Sequence, residues 1–205
     1  MVEEPASTTP GIKALNDYLA QVSAVAIASG RPRTGQLVAQ GGPTLRLAWW
    51  VADTKAVTPI TITWQTPIPA CYGPFQVRKI AATENKNVGS ATTARTTAVV
   101  KVTSKEGDGA ILLFVPPPGG GNATAAWLGV HPGHIAASAI NDFDQEFGFV
   151  HLQNTSLVLQ YNSRSATMAT PIRVLDMPEP PTAMVAGNNS LYLATDSVIR
   201  KYCTL

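Results

Sequence analysis

The spacing of apolar residues predicts one helix near the N-terminus of this chain. Steps of three and four between apolar positions place these residues on one stripe of a helix. The stripe comprises Ile12, Leu15, Leu19, Val22 and Val25. Thr9 is placed to cap the helix, and Pro10 suits its first turn. The pattern therefore predicts an amphipathic helix over residues 10–27, within an N-terminal arm of residues 1–35.

After residue 35 the pattern changes to short runs of β-branched and aromatic residues, separated by Gly, Pro, Asn and Asp. The runs are 44–51, 58–64, 75–80, 96–103, 110–115, 156–161, 171–175 and 190–202. Eight or more strands without helical periods between them predict an all-β antiparallel sandwich or barrel over residues 36–205. The stretch 116–154 carries Pro and Gly runs and few strand-forming residues, so it predicts a long loop available for recognition or assembly contacts.

Composition narrows the class of protein. Charged residues make up 14% of the 205 residues, against about 25% in an ordinary domain, and apolar residues make up 45%. This balance excludes a coiled coil, and the net charge of +2 with high apolar content argues against disorder. A surface with so few charges indicates contact with other subunits.

The N-terminal arm does not predict nucleic-acid binding. Its first thirty residues carry Glu3, Glu4, Lys13 and Asp17, a net charge of −2. A tail that holds a polyanion needs a block of Lys and Arg. The same acidic start differs from a signal peptide, which begins with basic residues and continues into an apolar run.

Two cysteines and three histidines are the first candidates for chemistry. Cys71 and Cys203 are far apart and form no CxxC pair, which predicts two reduced thiols. The histidines are grouped with acidic residues: His131, His134, Asp142, Asp144, Glu146 and His151. A jelly-roll metalloenzyme of the cupin kind would hold iron or zinc through such side chains.

The spacing of the histidines does not favour a metal site. A cupin has His-x-His followed by Glu on one strand, whereas Pro132-Gly133 lies between His131 and His134 and predicts a turn. Two interpretations stay open: solvated loop histidines, or a pH switch at a subunit contact. Because the sequence also carries no nucleophile elbow, Walker loop or dinucleotide fingerprint, we predict no enzyme, no catalytic or metal-binding residue and no cofactor.

Several segments, in order along the chain, are similar to those of picornavirus-like capsid proteins. Residues 110–119, AILLFVPPPG, resemble a strand and turn of that family that end in Val-Pro-Pro-Gly. FQVRKI at 75–80 is similar to the family's Gln-Leu-Arg-Arg-Lys stretch, and NTSLVLQYNSR at 154–164 to a strand that ends in Val-Pro-Tyr. LYLATDSVIRKYC at 191–203 resembles the closing strand of the subunit around the five-fold axes.

The resemblance implies an eight-stranded antiparallel jelly roll. It also implies assembly with companion capsid proteins and copies of the same chain into an icosahedral shell around RNA, which this subunit would enclose without a basic arm. The chain would be made in the host cytoplasm, reside in the virion and contribute to attachment to a host receptor through unknown residues. The N-terminal arm would contact a membrane transiently at entry.

The alternative is a non-viral jelly-roll or lectin-like binding module. In that case Trp49, Trp50 and Trp64 are candidates for an exposed ligand cleft, and packing in the core is the competing explanation for all three. A cupin-type metalloenzyme is the third interpretation.

Overall fold

A computed structural model describes residues 25–27, 36–51, 56–85, 95–117, 119–140, 145–187 and 190–203. These residues form sixteen strands and no helix, so the all-β prediction is confirmed for this part of the chain. Every strand pairing is antiparallel except that of β5 with β9. The described part therefore also holds no helix of the length and apolarity needed to cross a membrane.

Neighbouring strands in the sequence pair with each other and form four sheets. Sheet 1 contains β1 (Val25–Ile27), β2 (Gln36–Gln40), β3 (Arg46–Val51) and β4 (Ala56–Ile60). Sheet 2 contains β5 (Ile62–Thr66), β6 (Gln76–Asn85), β7 (Arg95–Ser104), β8 (Gly107–Val115) and β9 (Ala123–Trp127), in the order β5-β9-β8-β7-β6. Sheet 3 contains β10 (Pro132–Ile140), β11 (Gln145–Leu152), β12 (Leu157–Asn162) and β13 (Arg173–Asp176). Sheet 4 contains β14 (Ala183–Gly187), β15 (Ser190–Ala194) and β16 (Ile199–Cys203).

The four sheets stack face to face in chain order. Leu47 and Trp49 of sheet 1 pack with Val100 of sheet 2 in the first hydrophobic cluster. Alternation along β7 turns Val99 to the other face of sheet 2, where it packs with sheet 3 in the second cluster. A third cluster joins Phe149 of sheet 3 to sheet 4. The central strands of sheets 2 and 3 are thus buried on both faces, which explains why β8 and β11 are buried along nearly their whole length.

The predicted long loop at 116–154 is wrong, because β9, β10 and β11 lie within it. Strands β9 and β10 are rich in Ala, and β11 contains Gly148, and both residue types are depleted in ordinary strands. Small residues occur here because sheets pack on both sides: a Cβ on Gly148 would lie 2.5 Å from Leu112 Cδ1 and 2.7 Å from Val99 Cγ2. The close approach of sheets 2 and 3 requires glycine at this position.

The predicted eight-stranded jelly roll differs from the observed strand order. A jelly roll places eight strands in two sheets with Greek-key connections, whereas here each sheet is built from consecutive strands, with β5 as the one addition from outside the meander. Two of the predicted runs also divide: 58–64 becomes β4 and β5 in different sheets, and 190–202 becomes the hairpin β15–β16. Sequence-adjacent strands pair because short turns connect them.

The predicted N-terminal helix falls mainly outside the described residues. Its last three positions, Val25–Ile27, form strand β1 and pair with Gln40, Ala39 and Val38 of β2. The helix prediction is therefore wrong for these three residues, whose backbone hydrogen bonds join sheet 1 instead. The division into an arm of 1–35 and a domain of 36–205 stays a prediction.

Candidate functional site: histidine pair, arginine cleft and terminal sheet face

The structure brings two of the three histidines together. His134 on β10 and His151 on β11 stack with ring centroids 5.3 Å apart and an angle of 17° between the rings. His151 is buried, and its Nε2 lies 2.8 Å from the carbonyl oxygen of Thr155, so Nε2 donates a hydrogen bond. His131 is exposed, with Nδ1 2.8 Å from the carbonyl oxygen of Asp108. The pair is therefore a packed feature of sheet 3, and His131 lies beside it.

The acidic residues predicted near the histidines do not join them. Asp142 and Asp144 lie outside the described residues, and Glu146 lies at the opposite end of β11 from His151, about 17 Å along the strand. Within the described ranges no three His, Cys, Asp or Glu side chains are grouped for metal binding. The predicted turn at Pro132-Gly133 is also wrong: both residues lie in β10, where the register with β11 shifts.

A lysine ties the histidine end of sheet 3 to sheet 2. Lys101 Nζ lies 2.8 Å from Asp108 Oδ2 and donates a hydrogen bond to the carbonyl oxygen of Gly133 at 3.3 Å. Burial alone would raise the pKa of Asp108, but hydrogen bonds from Lys101 and Thr103 outweigh it and lower that pKa. Burial, together with the nearby His151 and Lys79, lowers the pKa of His134.

The lowered pKa of His134 predicts a loss of stability in mild acid. The unfolded chain takes up a proton near the ordinary histidine pKa of about 6.5, while folded His134 stays neutral to lower pH beside Lys79, Lys101 and His151. Stability is therefore full above that value and falls as pH drops toward the folded pKa. Urea unfolding of His134→Gln across pH 5–8 should show a shallower pH dependence than the parent chain. The control His131→Gln should retain the parent slope, and equal slopes for all three proteins would contradict the assignment.

Two of the three candidate tryptophans pack in the first hydrophobic cluster. Trp49 is 1% exposed, and its Nε1 donates a hydrogen bond to the carbonyl oxygen of Pro116 at 3.0 Å. Trp64 is half-buried against the same hydrophobic cluster. Trp50 is also half-buried, on the opposite face of β3. Packing, the competing explanation for these residues, is confirmed for Trp49 and Trp64.

A cleft between sheets 2 and 3 contains two arginines that sequence reasoning missed. This arginine cleft has a volume of about 640 Å³. Its lining residues are Gln65, Arg95, Phe114, Pro116, Pro117, Gly120, Asn122, Thr124, Ser163, Arg164 and Ser165. They are spread over one hundred residues and form no local motif, so only the folded chain brings them together.

Glu146 anchors the arginine cleft from behind. Its carboxylate is fully buried, with Oε1 3.8 Å from Arg95 Nε and Oε2 4.0 Å from Arg164 Nε. Asn85 Nδ2 donates a hydrogen bond to Oε1 at 2.9 Å. The Arg95 guanidinium also lies over the ring of Phe114, 5.9 Å from its centroid. The buried carboxylate therefore fixes both cations at the mouth of the cleft.

The outer face of sheet 4 is apolar and exposed. Val185 is 62% exposed and Ile199 76%, and the pairing register places Val185, Tyr192 and Lys201 in one row across this face. At the other end of the stack, the outward-facing Val38 and Ala48 of sheet 1 are buried. Among the described residues, the outer apolar face is therefore buried on sheet 1 and exposed on sheet 4.

The two cysteines are both free and exposed, and Cys203 is the last residue of β16 in sheet 4. The histidine pair lies on adjacent strands, the arginine cleft combines residues that are distant in sequence, and the apolar face belongs to the last sheet of the stack. Neither a protein-family model nor a curated protein matches this sequence, so these surfaces are what indicates its function.

Proposed function

We propose that this chain is a structural, non-enzymatic protein that works by stacking the outer face of sheet 4 against a β-sheet of a partner protein. The exposed apolar face of sheet 4 carries the proposal. Of the six large hydrophobic side chains that are exposed in the described residues, three lie on this face: Val185, Tyr192 and Ile199. Val198 lies in the turn before β16, and Ile172 and Val174 lie at the edge of sheet 3. Clustered exposure of this kind marks an interaction surface.

A β-sheet is the occupant that this face fits. Each internal sheet of the stack covers its neighbour with Ala, Val, Leu and aromatic side chains. The outer face of sheet 4 presents the same types of residue: Ala183, Val185, Tyr192, Ala194 and Ile199. In addition, sheet 4 has three strands in the described residues, where the other sheets have four or five. Its edge strand β16 can therefore pair with a further strand.

The charge on β16 favours a different protein over a second copy. Lys201 is exposed in the row of Val185 and Tyr192, whereas Arg200 pairs with the buried Leu193 and belongs to the other face of sheet 4. A face-to-face contact between two copies would bring the lysine of each copy to the same apolar interface, which costs free energy. A partner sheet with an apolar centre and a carboxylate opposite Lys201 would match the face in both respects.

A picornavirus-like capsid subunit, favoured by the sequence resemblance, is one protein that works in this way. Companion capsid proteins would then supply the partner sheet. The enclosed RNA, the host receptor, the location in the virion and the membrane contact of the arm belong to this same proposal. The observed strand order does not support the jelly roll that the capsid family implies. Assembly into a capsid and binding through the face of sheet 4 are therefore tested by separate experiments.

Replacing the exposed apolar residues should remove dye binding without unfolding the chain. We expect the parent chain to bind the hydrophobic dye ANS, because Val185 and Ile199 are exposed on sheet 4. We expect it to stay monomeric in sedimentation velocity, because Lys201 opposes contact with a second copy. Val185→Lys/Ile199→Lys should abolish dye binding while the far-UV circular dichroism is retained. The matched control Gln76→Lys/Gln153→Lys adds the same charge at exposed positions on β6 and in the turn after β11, and it should behave as the parent does. A parent chain that binds no dye, or dimers that Val185→Lys/Ile199→Lys abolishes, would contradict the proposal.

A separate experiment tests the proposal that the chain is a capsid subunit. Material from the native source, treated with nuclease and separated on a sucrose gradient, should contain this chain at virion size with companion proteins and protected RNA. Migration as a free chain or a small oligomer would contradict the capsid proposal. The proposal for the face of sheet 4 would then still be tested by the variants above.

A further inference from the structure

Strand β13 forms an open edge of the stack. It is the last strand of sheet 3 within the described part of the chain. Ile172, which precedes β13, and Val174, which lies within it, are 54% and 55% exposed. Stacking on the outer face of sheet 4 would leave both side chains uncovered. An edge strand that exposes large apolar side chains is a template for pairing with a further strand.

The hydrogen-bond pattern determines which backbone groups of β13 point outward. The backbone N–H of Met177 donates to the carbonyl oxygen of Ser156 at 3.1 Å, in register with the pairing of β12 and β13. Hydrogen-bonded pairs alternate with non-bonded pairs along an antiparallel ladder. Leu175 therefore directs its N–H and C=O at β12, whereas Val174 and Asp176 direct theirs away from it. These two residues offer two donors and two acceptors to an added strand.

The exposed side chains of this edge change from apolar to acidic along the chain. Val174 and Asp176 share one face of β13, because Leu175 packs on the other face in the third cluster. Ser156 Oγ donates to Asp176 Oδ1 at 2.7 Å, and this neutral donor leaves the charge of the exposed carboxylate in place. Glu179 follows and is also exposed. A matching strand carries an apolar side chain opposite Val174 and a cation opposite Asp176.

Contacts with neighbouring strands hold this edge in an extended conformation. The backbone N–H of Ile172 donates to the carbonyl oxygen of Gln160 at 2.8 Å. Arg173 Nη1 donates to the carbonyl oxygen of Cys203 at 3.2 Å, which joins β13 to β16 of sheet 4. The edge is therefore formed before a partner binds, and pairing costs less conformational entropy.

Prolines on both sides limit the length of the edge. Pro171 and Pro178 lie just outside β13, and proline has no N–H to donate to a ladder. Short edge strands of this kind resist unspecific pairing. The segment that pairs here is therefore short.

We infer that β13 binds a short extended segment of another protein, which pairs with the backbone of Val174 and Asp176 and carries an apolar residue opposite the first and a lysine or arginine opposite the second. A second copy fits less well, because antiparallel pairing of two β13 strands about Val174 would set Asp176 against Ile172, with no cation opposite the carboxylate. This edge is separate from the outer face of sheet 4, so either proposal can fail alone.

Two peptides test the inference on the parent chain. Lys-Thr-Val-Thr-Val-Thr-Lys presents the same pattern in both strand directions, and Glu-Thr-Val-Thr-Val-Thr-Glu differs from it only in charge. In fluorescence anisotropy the labelled lysine peptide should bind at least about tenfold more tightly than the glutamate peptide. Unspecific attraction to the chain, whose net charge is +2, would give the opposite order. Equal affinities, the opposite order or binding of neither peptide would overturn the inference.

Hydrogen exchange then locates the pairing without any mutation. The bound lysine peptide should slow amide exchange at Val174 and Asp176 at least about tenfold, because their N–H groups become hydrogen-bonded. The amide of Leu175, which already faces β12, should exchange as it does in the free chain. If exchange at Val174 and Asp176 is unchanged, the peptide binds elsewhere and the assignment to β13 is wrong.

Two variants separate backbone pairing from side-chain contact. Val174→Pro removes the outward N–H and should weaken binding of the lysine peptide at least about tenfold, whereas Val174→Ala keeps that N–H and should weaken binding less. Val185→Thr, on sheet 4, should leave binding unchanged. Circular dichroism confirms that each variant is folded before titration. An equal loss in both Val174 variants, or self-association of the parent that Val174→Pro abolishes, would contradict the inference.

Discussion

Trp49→Ala is expected to lower the free energy of unfolding by about 3–5 kcal/mol. The Trp49 side chain is 1% exposed and packs between sheets 1 and 2 in the first hydrophobic cluster. Its replacement removes buried aromatic surface and leaves a cavity that two paired sheets cannot close. The variant also removes the hydrogen bond from Nε1 to the carbonyl oxygen of Pro116, which fixes the Pro-rich turn at the cleft wall. In a chain of this size the melting temperature should fall by roughly 10 °C.

Two further variants separate the causes of this loss. Trp49→Phe keeps most of the ring volume and removes the hydrogen bond, so it should cost clearly less than the alanine variant. Trp64→Ala removes a half-buried ring from the edge of the same cluster and should also cost less. Guanidinium unfolding monitored by circular dichroism gives the three values. A loss of under about 1 kcal/mol for Trp49→Ala would contradict the placement of this residue in the core.

Glu146→Ala is expected to cost about 3–5 kcal/mol, because it breaks a buried ionic network by removing one partner. The variant leaves Arg95, whose side chain is 20% exposed, without its buried carboxylate and deprives the buried Asn85 amide of an acceptor. Glu146→Gln keeps an oxygen for Asn85 and removes only the charge, so it should be less destabilising. Urea unfolding at neutral pH compares the variants.

An exposed ion pair provides the control for Glu146. Lys105 Nζ lies 3.6 Å from Glu106 Oε1, and the two side chains are 75% and 50% exposed. Solvent screens this pair, so Glu106→Ala should change the free energy of unfolding by under about 1 kcal/mol. If the variants at 146 and 106 cost the same, the network around Glu146 does not stabilise the fold.

Sequence reasoning predicted the strands whose side chains are branched or aromatic. The runs 96–103 and 110–115 correspond to β7 and β8, and 156–161 corresponds to β12. It missed β1, β2, β9, β10, β11 and β14, of which β9, β10 and β14 are rich in small residues. Alanine and glycine carry a weak strand signal by themselves, and their presence here reflects sheets packed on both faces, which is a tertiary property.

The candidate sites were predicted less well than the strands. The histidine group is local in sequence, and the structure retains two of its members as a stacked pair. The third lies beside them, and Glu146 belongs to a different site at the other end of β11. Gln65, Arg95 and Arg164 of the arginine cleft are separated by up to one hundred residues, so no spacing connects them.

By itself the sequence determined the all-β class and the sparse charge, because each depends on residue type and local alternation. The tertiary structure decided the four-sheet stack, the arginine cleft and the open face of sheet 4. These depend on which sheet faces which, and that choice is made by small residues such as Gly148, whose effect exists only when another sheet lies against it. The fit between the side chains of two packed sheets depends on residues that are distant in sequence, so no local pattern encodes it.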